Sequence, residues 1–286
     1  MTNKQRQKIQ QLLDTQYSLR NTDDELKQTS PDPLLVARIY KEDSHFAEIA
    51  LICALLSYGN AKMIVKLLQS LDFGLLTRGI DRIQKANFPH YRFQTSEDIQ
   101  GLFMLVKILL ESGGLLQCFM QGYESCPHTK SKSQWSKSNN PNHAKILSGI
   151  YYCIDTLHTL ANRHKIPITQ GLRFLLGSSH STYLAQHHTI PHNASCLKRW
   201  NMLLRWLIRK DRLDVGTWDS HLQSSNLILP LDTHTFRICG KLGILKRKSY
   251  DLSAALEATD TLALFNPKDP IAYDFALYRL GQNGIL

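Results

Sequence analysis

Apolar and polar residues alternate along this chain with the spacing of helices, and strand signals are weak throughout. Lys4–Asn21 reads as a polar opening helix. Pro31-Asp32-Pro33 predicts the next start, with Asp32 as cap and Pro33 at the first helical position. Leu34, Leu35, Ile39 and Tyr40 form its apolar side. Phe46–Ser57 is almost entirely apolar, which predicts a buried helix, and Gly59 suits the left-handed turn that ends it. Helices are expected at Ala61–Leu71, Ser96–Leu110, Leu115–Tyr123, Ala144–Lys165 and Gly171–Gly177. An aromatic loop, Asn87–Phe93, lies between the first two of these. Glu124–His143 is polar, basic and of low complexity, and reads as a mobile insertion.

The segment Ser195–Lys210 carries a sharper pattern. Ser195 is a good N-cap residue. Trp200, Leu203, Leu204 and Leu207 form one apolar stripe. At about 100° per residue, Lys198, Arg205 and Arg209 fall within about 40° of one another on the other side. Three cations on one stripe at a helix start suit a polyanion, although a solvated face has the same appearance. Lys198 sits at the N-terminal end, where the dipole and neighbouring cations favour a neutral, nucleophilic amine. Most lysines in that position only meet phosphate or water.

Downstream, Pro230 closes an apolar stretch and Asp232 precedes a helix expected from Thr233 to about Leu242, with Gly243 beyond it. Asp232 is thus an N-cap by position. A capping carboxylate is also rigid and ionised, so it can stabilise a developing cation or take a proton. Capping alone does not make it catalytic. In the last segment Asp269 caps, Pro270 begins a helix, and Phe275, Leu277 and Leu280 point inward. Asp274 and Tyr278 are one turn apart and present a carboxylate and a ring on one face. That pair suits a nucleobase, and equally suits an ordinary surface beside Arg279.

Composition narrows the partner. The 286 residues carry a formal net charge of +10, with 43% hydrophobic residues. A basic excess favours an anionic partner, most commonly nucleic acid. The six cysteines include no C-x-x-C pair, so no metal or cluster site is expected and the thiols read as reduced. His180, His187 and His188 show no ligand spacing, and no cofactor is expected. No glycine-rich nucleotide loop appears. The polar N-terminus lacks a signal-peptide core, and no apolar run spans a bilayer, so a cytoplasmic, nucleoid-associated protein without membrane contact is expected.

The order Leu231-Asp232-Thr233-His234-Thr235-Phe236-Arg237-Ile238, then Lys241-Leu242-Gly243-Ile244-Leu245, then a terminal helix closing on Arg279-Leu280-Gly281, resembles the helix-hairpin-helix DNA glycosylase superfamily. The chain also resembles a bacterial family catalogued as a domain of unknown function. Its shared features include Asp32-Pro33, Leu56-Ser57-Tyr58-Gly59, Tyr91-Arg92-Phe93, Lys198-Arg199-Trp200-Asn201 and Tyr273-Asp274-Phe275. Two superfamily features are missing: the glycine-rich hairpin before the aspartate and the four-cysteine cluster. The long gap from Lys198 to Asp232 is similar to that of archaeal-type 8-oxoguanine glycosylases.

The resemblance implies an all-α, two-lobed fold. One lobe would span residues 46–225 and hold Lys198. The other would combine 1–45 with 226–286 and hold Asp232, with the active site in the cleft between them. It implies excision of an oxidised purine, most simply 8-oxoguanine, from duplex DNA by a monomer, followed by strand nicking through a lysine Schiff base. Lys198 and Asp232 would be catalytic. Arg205, Asp274 and Tyr278 would recognise the base. Arg199, Arg209, His234, Tyr91 and Phe93 would contact DNA. The competing readings are a non-catalytic helical DNA- or RNA-binding protein and a monofunctional glycosylase for alkylated bases.

Overall fold

The computed structural model describes residues 2–22, 24–25, 31–126, 138–187, 191 and 193–282. Among them every regular element is helical, and the one β-contact is an isolated bridge between Tyr91 and Gln94. The helices are α1 (Asn3–Arg20), α2 (Leu34–Ala37), α3 (Phe46–Leu55), α4 (Ala61–Gln69), α5 (Ile80–Lys85), α6 (Ser96–Glu111) and α7 (Gly114–Glu124). They continue with α8 (Asn142–Arg163), α9 (Gln170–Leu176), α10 (Ser181–His187), α11 (Lys198–Ile208), α12 (Thr233–Lys241), α13 (Leu252–Ala263) and α14 (Asp274–Gln282). No single helix is long and apolar enough to cross a membrane.

The chain divides into two compact units. The first comprises 1–25, 127–146 and 183–286, and the second 26–126 and 147–182. These boundaries differ from the expected lobes. The segment after residue 183, with Lys198, groups with the C-terminal helices, and residues 31–45 group with α3.

In the second unit, α3 is buried at nearly every position from Phe46 to Leu55, as its apolar run requires. Ser96 begins α6, and Thr95 caps it in a reciprocal box with Asp98. Glu48, buried on α3, accepts from the Leu115 amide at 2.8 Å and so satisfies the start of α7. Asp32 accepts from the Leu34 amide at 2.9 Å, although α2 starts at Leu34 with Pro33, not Asp32, in the cap position. Gly59 takes φ +99°, as expected. Ile39 does not point inward: the backbone tightens into a 3-10 turn over Arg38–Tyr40, and Ile39 is left 67% exposed.

Described elements reach into the expected insertion from both ends. α7 runs through Glu124, α8 begins at Asn142, and His143 is 1% exposed. Residues 127–137, within the expected insertion, lie outside the described residues, as does His188.

The first unit is organised by α12 and α14, which pack closely. A Cβ at Gly281 would lie 3.1 Å from Ile238 and 3.2 Å from the His234 Cβ, so a glycine permits the approach. Leu231, Ile238, Leu252, Leu277 and Leu280 are buried around this contact, and Trp206 of α11 is fully enclosed. Burying such side chains contributes about 1.5–3 kcal/mol each relative to exposure.

Candidate active site

Asp232 occupies the expected N-cap of α12. Its extended backbone starts the helix, and its Oδ1 accepts from the Thr235 amide at 2.8 Å. The carboxylate is therefore held at one orientation while the residue stays half-buried. Behind it, Tyr250 donates its hydroxyl to the Leu231 carbonyl at 2.9 Å and packs its ring edge-on to Phe236. The same tyrosine lies close enough to Cys196, two residues before Lys198, to influence its thiol. The Leu252 amide donates to the Ala194 carbonyl at 2.8 Å. One short segment around Tyr250 thus touches both the approach to Lys198 and the approach to Asp232.

Lys198 is the first residue of α11. Ser195 is not its cap, contrary to expectation. The Ser195 hydroxyl accepts from the Leu197 amide in a local turn, and Leu197 takes the cap position with φ +51°. A left-handed leucine costs about 1–2 kcal/mol. The Asn201 side chain secures it by donating to the Cys196 carbonyl at 3.0 Å, and the Leu197 side chain is 6% exposed. Among the described residues no side chain caps α11, and its first turn carries half-buried Lys198 and Arg199.

The basic stripe expected on α11 is not a surface. Every residue from Trp200 to Arg209 is buried. Arg205 donates from Nε to Asp214 at 3.1 Å and from Nη1 to Asp274. Arg209 donates to Asp269 at 3.0 Å, to Asp211 at 2.9 Å and to Asp214. Two guanidinium groups are thus sandwiched among four carboxylates, and the alignment of the arginines serves the core. Arg209, 4% exposed, is corrected from a DNA contact to a buried clamp. Arg205, 5% exposed, is corrected from base recognition to holding Asp274. Unpaired charges cannot be buried cheaply, which is why the partners surround both. Asp269 turns toward Arg209 and makes no side-chain cap to the turn starting at Pro270, as had been expected.

Asp274 begins α14 and is 6% exposed. Burial pushes its carboxyl up, Arg205 pulls it down, and two smaller influences come from Asp232 (upward) and Lys198 (downward). Asp274 therefore lies within electrostatic reach of both expected catalytic residues. Tyr278 follows one turn later, half-buried, with His234 edge-on to its ring at 6.3 Å. Lys198, Asp232, Asp274, Tyr278 and His234 all belong to the first unit. Its sequence segments hold 21 Lys and Arg against 13 Asp and Glu, so most of the net charge of +10 resides there.

Tyr91 and Phe93 lie in the second unit. Tyr91 is 5% exposed and exchanges hydrogen bonds with Tyr58, donating to its carbonyl at 2.7 Å and accepting from its hydroxyl at 3.2 Å. That makes Tyr91 a packing residue, correcting the expected DNA contact. Phe93 is 51% exposed and packs edge-on to Phe174.

Sequence reasoning missed Tyr250, Leu197, Asp211 and Asp214, and it missed that Asp269 and Asp274 pair with Arg209 and Arg205. Asp211 and Asp214 lie two and five residues after Arg209, so opposite charges close in sequence were an available signal. Tyr250 offered none, because its role depends on a tertiary contact. Among the described residues no group of three or more His, Cys, Asp and Glu side chains could hold a metal ion.

The family described as "Protein of unknown function (DUF2400)" matches the chain over residues 32–283, and the chain belongs to that family. Comparison with curated proteins and with solved structures gave no match.

Proposed function

We propose that this protein is a DNA base-excision glycosylase with associated strand-nicking activity, built on an all-helical, two-lobed glycosylase-like fold and acting on an oxidised purine such as 8-oxoguanine. The observation that carries the reading is the constellation of Lys198, Asp232 and Asp274, in which one buried carboxyl senses the charges of the other two side chains. An amine, a rigid capping carboxylate and a half-buried ring one turn after Asp274 are the groups such a reaction needs.

In this reading the damaged nucleotide leaves the base stack and enters the site. The Lys198 amine attacks the sugar C1′, and the bond to the base breaks with its electron pair leaving on the base. Asp232 stabilises the positive charge that develops on the sugar and receives the amine proton. The C1′–O4′ bond then breaks as Asp232 returns the proton to O4′, and the resulting Schiff base allows β-elimination of the 3′ phosphate. Tyr278 stacks on the extruded base with His234 beside it. Arg205 acts through Asp274 and does not touch DNA. Arg199 and the first turn of α11 meet a phosphate.

The test is borohydride trapping on a duplex containing 8-oxoguanine. Wild type is expected to form a covalent adduct, and Lys198→Gln is expected to form none. Base release without adduct or nicking would replace this reading with a monofunctional glycosylase. Binding without release, on a panel of damaged duplexes, would replace it with a non-catalytic nucleic-acid-binding protein.

A further inference from the structure

Outside the candidate site, α7 and α8 meet in an unusually close antiparallel contact. A Cβ at Gly122 would fall 2.3 Å from the Tyr152 Cβ and 2.8 Å from the Ser148 carbonyl oxygen. A Cβ at Gly149 would fall 2.6 Å from the Phe119 ring. The Tyr152 hydroxyl donates to the Gln121 side chain at 3.2 Å. In the same register Cys118 of α7 faces Cys153 of α8, near enough for each thiol to influence the other's proton affinity. A disulfide requires facing Cβ atoms about 3.5–4.5 Å apart, and the glycine contacts on either side of this cysteine pair hold the two helices close together.

The two thiols differ in their surroundings. Cys153 is fully buried, and burial pushes its thiol well up. Cys118 is lowered, first by Cys153 and further by Thr156. It is 6% exposed and lines a surface groove with Gln117, Tyr152, Thr156 and Arg163. By contrast, burial drives Cys53 and Cys239 upward and pushes Cys196 up to about 12. A thiolate, not a thiol, is the nucleophile in exchange.

We propose that Cys118 is a reactive thiol with Cys153 as its resolving partner, a pair that a low-molecular-weight disulfide oxidises to an intramolecular disulfide. The Cys118 thiolate attacks one sulfur of the small disulfide, forms a mixed disulfide and releases one small thiolate. That thiolate takes the Cys153 proton. Cys153 then attacks the Cys118 sulfur, closing the Cys118–Cys153 bond and releasing the second small thiolate. Two protein thiols are oxidised and one small disulfide is reduced to two thiols. The product cross-links α7 to α8 on either side of residues 127–137.

The full chain is incubated under native conditions with glutathione disulfide, and the products are mapped by mass spectrometry without reduction. Wild type is expected to lose two hydrogens, with the loss confined to a linked pair of peptides containing Cys118 and Cys153. Cys153→Ser should stop at a persistent glutathione adduct on Cys118, and Cys118→Ser should show neither product. Adduct formation at Cys196 or Cys126 ahead of Cys118 would overturn the proposal. So would an unchanged native mass under conditions where the urea-unfolded chain reacts at all six cysteines. If a variant does not fold, the wild-type peptide map decides the matter alone. None of these readouts depends on DNA.

Discussion

The Tyr250 hydroxyl donates to the Leu231 carbonyl at 2.9 Å, fixing the peptide that leads directly into Asp232. The ring packs against Phe236 on the first turns of α12, so Tyr250→Phe keeps the packing and removes only the hydrogen bond. A neutral hydrogen bond of this kind contributes about 1 kcal/mol. The variant should unfold at slightly lower urea and, with Asp232 less firmly aimed, lose about tenfold or less in kcat with little change in KM. An unchanged kcat would show that Asp232 is oriented by its cap alone.

Asp232 has two separable roles. Asparagine caps a helix nearly as well as aspartate, whereas alanine costs about 1 kcal/mol. Asp232→Asn should therefore leave thermal stability almost unchanged while excision of 8-oxoguanine falls by roughly 10²–10⁴-fold. Asp232→Ala should lose both. Excision that survives in Asp232→Asn would assign the carboxylate to structure only.

The arginine cluster gives a stability prediction. Asp214 has a fully buried side chain that bonds both Arg205 and Arg209. Asp214→Ala leaves two buried guanidinium groups short of a partner, a loss of about 3–5 kcal/mol in urea unfolding. Because the pairs are enclosed, the loss should be insensitive to added salt, unlike that of an exposed pair. A loss below 1 kcal/mol, or one erased by salt, would contradict the burial of the cluster.

His143 gives a pH prediction. Burial lowers its ring to about 4 from an ordinary value near 6.5, and Asp260 lies 3.9 Å from its Nδ1. A depressed histidine is neutral in the folded chain and binds a proton on unfolding below pH 6.5. Its contribution is thus fully present above about pH 6.5 and lost as pH falls toward 4. The size is on the order of 3 kcal/mol for a shift of this extent. Urea titrations across that window should show stability declining with falling pH, and His143→Gln should flatten the slope.

Much of the fold was legible because helical periodicity and caps are local. Phe46–Leu55, the Thr233 start with its Asp232 cap, and the glycine turns at Gly59 and Gly243 follow from neighbours within a few residues. What could not be read was which face of α11 looks outward. Lys198, Arg205 and Arg209 share a stripe, and a stripe of cations ordinarily means solvent. The aspartates that draw two of them inward sit in a following loop and on a distant helix, so the decision is tertiary. Tyr91 was misread for the same reason: an aromatic in a loop looks exposed until its partner, Tyr58, is known.

Leu197 carries a last consequence. Its left-handed backbone costs about 1–2 kcal/mol, and burial of its side chain returns about 1.5–3 kcal/mol. The turn is thus wound by packing, where a glycine would have held it by indifference. Strain and burial must then be released in the same event. Amide hydrogen exchange from Leu197 to Asn201 should report one cooperative opening, with these protons exchanging at a common free energy and not fraying one by one from the helix end.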